Sequence, residues 1–254
     1  MKATLIIAAN TFKETVRNKV LYNILLVAGV ALFLSMSFGD LSVFSRAQVM
    51  ADFGLATMSI TGLLLAVFIG VAMLGTEVSS KTVYGILTKP VNRESFILGK
   101  FFGLLSILML NFALIAAVFF ISINLLGASV KFTLIWAVVL IAVEMAVMIS
   151  ASIFFSSFTT PTLAAIFSIG FYIAGHLNTM IGIGAKQQNS PVWRALLKFI
   201  YYVFPNLEHF NIRAQVVYDI SIPEGYIMGA LLYGFLYTIL LLSLSILFFS
   251  RKDL

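Results

Sequence analysis

The stretch FTLIWAVVLIAVEMAVMISASIFF, residues 132–155, carries a single charged side chain, Glu144. About 20 predominantly apolar residues in a helix span the ~30 Å hydrocarbon core of a bilayer. A helix on a soluble surface shows a charged face opposite its apolar one, and this stretch shows none. It therefore reads as a transmembrane helix. Five runs of the same character lie around it, at about 20–38, 53–74, 95–126, 162–183 and 225–249. The third is long enough to tilt or to project beyond the bilayer. The sequence thus predicts an all-α integral membrane protein with six transmembrane helices in one domain, 1–254.

Composition supports this reading. Apolar residues make up 61% of the chain and charged residues 10%, against roughly 25% charged in a soluble domain. The mean hydropathy is +1.06. No cysteine is present, which excludes thiolate metal sites, and His176 and His209 are a poor supply of metal ligands. The net charge of +6 is spread through loops, so the composition does not point to nucleic acid.

Residues 2–19 are expected to form an amphipathic interfacial helix, with Leu5, Ala9, Phe12 and Val16 on one face and Asn10, Lys13 and Arg17 on another. A cytoplasmic extension of the first span is the plainer alternative. Lys13, Glu14, Arg17 and Lys19 precede the first long span, which is not the layout of a cleavable signal peptide. Pro161 suits the first turn of the fifth span. The segment 184–224 before the last span is expected to carry short amphipathic helices. Ser190 and Pro191 read as an N-cap and first helical residue. Trp193, Leu196, Leu197, Ile200 and Phe204 form an apolar stripe, and Trp193, Tyr201 and Tyr202 favour the headgroup region. Such helices serve either as a lid over a path or as an interfacial connector.

Lysine and arginine set the orientation. With the amino terminus inside, Lys2, Lys13, Arg17, Lys19, Lys81, Lys89, Arg93, Lys100, Arg251 and Lys252 are inner, and Arg46, Lys131, Lys186, Arg194, Lys198 and Arg213 are outer. Both termini are therefore expected in the cytoplasm.

The chain has no phosphate-binding Gly-x-x-x-x-Gly-Lys-Ser/Thr loop, no Gly-x-Ser-x-Gly elbow and no His-Glu-x-x-His pair. No catalytic residue and no cofactor of its own are expected. The inner loop between the second and third spans, TEVSSKTVYGILTKPVNRESFILGK at 76–100, is the most polar stretch between spans. Val83, Ile86 and Leu87 fall at helical spacing, Lys89-Pro90 ends that helix, and Asn92 or Ser95 starts the next. A short helix held beneath the bilayer can fit a groove in a partner.

This loop resembles that of the permease subunits of type-two ABC transporters. The resemblance rests on Glu77, Thr82, Pro90, Arg93, Gly99 and Lys100, and it extends to the interfacial helix, the six spans and the helical outer segment. Pro205-Asn206-Leu207-Glu208 also resembles a subgroup that includes permeases associated with multicopper enzyme maturation. The resemblance implies an exporter permease in a bacterial or archaeal cytoplasmic (inner) membrane, paired with a second permease copy or paralogue. Two ATPase subunits, holding ATP and magnesium, would dock on a coupling helix in the loop 76–94. Glu77, Lys81, Thr82, Lys89, Pro90, Arg93, Glu94, Gly99 and Lys100 would be the coupling residues. Read without the resemblance, the same charges form an ordinary solvated positive loop.

Polar groups inside the spans are the remaining candidates. A charged Glu144 costs roughly 2.5–3.5 kcal/mol at a helix centre, so it faces protein or water or is protonated. It reads either as a pathway or gating residue or as a bonded partner of Asn111 or Ser150. Asn111 and His176 are further pathway candidates, with His176 and Asn178 forming a polar pair near the headgroups as the alternative. Glu208-His209 is one acid and one histidine, too few for a metal site. Gly62, Ala66 and Gly70 allow close helix approach, within the protomer or across a dimer. A rival reading, an ATP-independent membrane enzyme or scaffold, would rest on Glu144 and His176. A secondary transporter would show an internal repeat, and none is evident.

Overall fold

A chain in lipid must satisfy its backbone hydrogen bonds internally, so apolar runs become helices. The computed structural model describes residues 2–17, 19–41, 46–79, 92–125 and 132–250. Among these residues the chain forms ten α-helices and one 3-10 helix, and no strand. They are α1 Lys2–Val16, α2 Lys19–Leu41, α3 Arg46–Ser79, α4 Arg93–Leu125 and α5 Phe132–Phe158. Next come α6 Pro161–His176, α7 Asn178–Gln187, α8 Pro191–Val203, the 3-10 helix Leu207–Phe210, α9 Arg213–Val217 and α10 Tyr226–Ser250. Residues 126–131, which include the expected turn before α5, lie outside the described residues.

Among the described residues four helices are long and apolar enough to cross a membrane, Gln48–Val71, Arg93–Asn124, Phe132–Phe158 and Tyr226–Ser250, and the bent pair Pro161–His176 and Asn178–Gln187 makes a fifth if counted as one span. The all-helical expectation holds, and the count of six is not shown by these helices. The first expected span lies in α2, where the described side chains include the apolar run Ile24–Leu34. The fifth is not one straight helix. It breaks at Leu177, where α6 and α7 bend by 63°. Pro161 opens α6 as its first helical residue.

α3 and α5 are the spine. Gly62 and Gly70 of α3 face Met145 and Ser152 of α5, where an added Cβ would come within 2.8 Å of side-chain atoms. The Gly62, Ala66 and Gly70 row therefore packs inside the protomer. The order of these contacts makes α3 and α5 parallel. Phe154 and Phe158 meet Phe248 at 5.7 and 5.2 Å, so α10 runs the same way. α4 runs against them, with Phe96 near its start stacked on Phe249 at 5.6 Å.

α1 packs along the start of α4 with only part of the face its apolar spacing suggests: Phe12 and Val16 lie against the core, while Leu5 and Ala9 are exposed. Ile7, Ala8, Thr11 and Thr15 turn inward, whereas Leu5 and Ile6 are exposed. A Cβ on Gly99 would lie 2.7 Å from Ile7, and one on Gly103 would lie 2.7 Å from the Ala8 carbonyl oxygen. Glycine and threonine let the two backbones touch, and backbone approach outweighs apolar area in a bilayer because lipid already solvates apolar side chains. α1, the start of α4 and the end of α10 consequently share one face of the bundle.

Candidate functional site

The polar centre of the protein lies toward the opposite face. Glu144 sits 12 residues into α5, on the order of 18 Å along its axis from Phe132, and its side chain is 2% exposed. His176 is the last residue of α6 before the break at Leu177. Its Nε2 lies 2.7 Å from Glu144 Oε1, and its Nδ1 lies 3.0 Å from Glu208 Oε2. The imidazole thus bridges two carboxylates from two other elements.

Local structure explains why Glu208 arrives there. The Asn206 side chain accepts from the Glu208 backbone N–H at 3.2 Å and caps the 3-10 helix. Leu207 seats against Gly175, where a Cβ would be only 2.5 Å away. The Tyr233 hydroxyl accepts from the Asn206 backbone N–H at 2.9 Å. With both ends held, Glu208 faces His176, and Asn211 Nδ2 donates to its other oxygen at 2.8 Å. The His176 hydrogen bond, helped by Asn211 against partial burial, holds the Glu208 carboxyl below the usual carboxylate range.

A cavity of about 220 Å³ lies beside this trio, lined among others by Glu144, Tyr172, His176, Ser59 and Arg213. The Tyr172 hydroxyl is 3.2 Å from Ser59 Oγ. Arg213 Nε donates to Asp52 of α3, and that hydrogen bond raises the guanidinium above its ordinary range. Among the described residues no group of His, Cys, Asp or Glu is arranged to hold a metal ion. The geometry accounts for this within the trio, because both ring nitrogens of His176 already face carboxylates.

The expected partners of Glu144 are therefore replaced. Asn111 donates to the Ile107 carbonyl of its own helix at 2.7 Å, and Ser150 donates to Val147 at 2.7 Å. Short polar side chains in a helix reach their own backbone more readily than a neighbour. His176 and Asn178 are not a pair either. Asn178 donates to the Tyr201 and Phe204 carbonyls, each at 3.0 Å, and pins α7 to the end of α8. The bend at Leu177 sends the two side chains to different elements. α8 buries none of its residues, and Trp193 and Tyr202 are exposed.

Of the inner-loop residues, Lys81, Thr82, Lys89 and Pro90 lie outside the described residues. Glu77 falls in α3, with its side chain outside them as well. Arg93 Nη1 donates to the Phe249 and Ser250 carbonyls at 3.1 and 2.5 Å, capping α10. Glu94 is exposed. Lys100 is buried, with its ammonium 5.9 Å from the centre of the Phe96 ring. Gly99 is the seat of α1 rather than part of an open loop surface.

One expected result follows from Glu208. Its carboxyl is held low in the folded state, so its contribution is present above the unfolded value near 4.5 and is lost as pH falls through the folded value. Its side chain is 44% exposed, which limits that contribution to about 1 kcal/mol or less. Thermal unfolding in detergent should weaken on the acid side, and Glu208→Gln should flatten that limb. An acid limb identical in both proteins would contradict the assignment.

Long apolar helices packed side by side define a multi-pass membrane protein. The model of the ABC-2 family transporter protein matches residues 5–254, nearly the whole chain, and the chain belongs to that family. It is accordingly a membrane component of ABC transport, a family that works with ATPase partner subunits. No curated protein matches the chain significantly.

Proposed function

We propose that this chain is the permease subunit of an ABC exporter, joined to a second permease copy or paralogue and driven by two ATPase subunits. They dock on the inner loop 76–94 of a cytoplasmic membrane, and both chain termini are cytoplasmic. Export follows the usual direction in the family, which is analogy rather than geometry. The observation that supports force transfer most directly is the close seating of α1 on Gly99 and Gly103, beside the Arg93 clamp on the end of α10. A push at the elbow before α4 moves α1, α4 and α10 together, because neither joint has slack for one helix to slide alone. The lysine and arginine distribution puts this face inside.

The test is co-purification in mild detergent with the ATPase encoded beside this chain, followed by transport in proteoliposomes. The ATPase should co-elute with the intact chain. Arg93→Ala removes a C-terminal cap of about 1 kcal/mol, leaves the bundle assembled, and uncouples ATP hydrolysis from transport. An ATPase that never binds, or an Arg93→Ala protein with unaltered coupling, would reject the proposal.

A further inference from the structure

Glu144 Oε1 shares one hydrogen bond with His176 Nε2, and His176 Nδ1 in turn meets Glu208. Exposure climbs along the three side chains, from 2% at Glu144 through 22% at His176 to 44% at Glu208. The two carboxylates engage opposite ring nitrogens, so a proton gained at one nitrogen can be matched by a proton lost at the other. A buried ion pair contributes little to stability relative to an apolar pair of the same shape. Ionisable groups inside a span are instead typical of ion and proton routes.

The groups around the ring come from every element packed on α6. Glu144 is on α5, Tyr172 is one turn back on α6 itself, and Glu208 and His209 are on the 3-10 helix. Asp52 of α3 is bonded to Arg213 of α9, and Tyr172 is bonded to Ser59. Lys186 stands at the far end of α7. Among the described residues the ring contacts within hydrogen-bond distance are the two carboxylates.

We propose that Glu144, His176 and Glu208 form a proton relay through which the buried Glu144 carboxyl exchanges protons with water at the face where Glu208 opens. In the inward step the Glu208 Oε2–H bond breaks as the His176 Nδ1–H bond forms. The Nε2–H bond breaks as the Glu144 Oε1–H bond forms. The imidazole starts and ends neutral with its tautomer inverted, and the outward step is the reverse. One proton has moved and no other reactant is consumed. The relay needs no ATPase, so it stands apart from the permease reading.

The test places the full chain in lipid nanodiscs and follows the Glu144 carboxyl by isotope-edited infrared spectroscopy after a pH jump, with Glu144→Gln identifying its band. The unaltered chain should respond within the mixing time. Glu208→Gln, at a partly exposed position, should slow the response by about 100-fold, the scale of a lost proton-transfer group. His176→Ala should slow it equally. Imidazole added to the vacated space should restore the rate, and 1-methylimidazole, which lacks one N–H, should not. A Glu208→Gln protein that equilibrates at the unaltered rate overturns the relay, as does rescue by both compounds. If His176→Ala fails to fold, as judged by gel filtration, the Glu208→Gln comparison alone decides.

Discussion

Replacing His176 by leucine is expected to destabilise the bundle by about 3–5 kcal/mol, the cost of leaving a buried carboxylate without its hydrogen-bonded partner. Glu144 is 2% exposed and has no other hydrogen-bond partner among the described residues. Its own span supplies none, since Ser150 bonds back to Val147. The loss should fall largely on Glu144, so it should shrink when both residues are changed. A His176→Leu, Glu144→Leu double variant should recover most of the stability, because two apolar residues of similar bulk need no partner. The double-mutant cycle, read by denaturant unfolding in detergent, reports the coupling directly. Additive single-site effects would show that Glu144 and His176 do not depend on each other, and the site as described would be wrong.

The second large effect is expected at Gly103. A Cβ there would lie 2.7 Å from the Ala8 carbonyl oxygen and 2.7 Å from the Thr11 Cβ. A backbone oxygen cannot swing aside as a side-chain tip can, so Gly103→Leu must push α1 off α4. Overpacking of this kind costs about 1–3 kcal/mol. The chain has no cysteine, so Thr11→Cys provides a single reporter thiol at a position 1% exposed. In the Gly103→Leu background that thiol should react faster, by about 10-fold for each ~1.4 kcal/mol lost. Transport should fall while the ATPase still binds. Gly170, which has nothing within 4 Å of an added Cβ, is the control, and Gly170→Ala should change neither rate. Labelling as slow in Gly103→Leu as in its parent would mean that the seam does not hold α1.

The membrane class and the main helices were legible because hydrophobicity accumulates along the chain and needs no partner to be read. Residues 132–155 announce a span by themselves, and Pro161 announces a helix start. The break at Leu177 was not legible. No proline marks the bend, Gly175 recurs in type along helices that stay straight, and what fixes the bend is tertiary: Asn178 bonding to the end of α8 and Leu207 filling the space over Gly175.

The site was half legible. An acid in mid-span must find a polar partner, and the chain has only two histidines, so a search restricted to histidine would have left His176 and His209. Asn111 and Ser150 were plausible partners as polar residues inside the spans, and the sequence does not show that each bonds to its own backbone instead. Glu208 is 32 residues beyond His176, and no local pattern marks it as the second carboxylate.

Sequence by itself determined that this chain lives in a bilayer, that it has no nucleotide-binding loop, and which side groups would be costly to bury. The tertiary structure alone decided that Glu144, His176 and Glu208 meet, that the glycine row of α3 packs within the protomer, and that α1 docks by its threonine face. The physical reason is common to all three. Burial in lipid is a property of each residue's own transfer energy, whereas hydrogen bonds and backbone contact depend on which helices become neighbours.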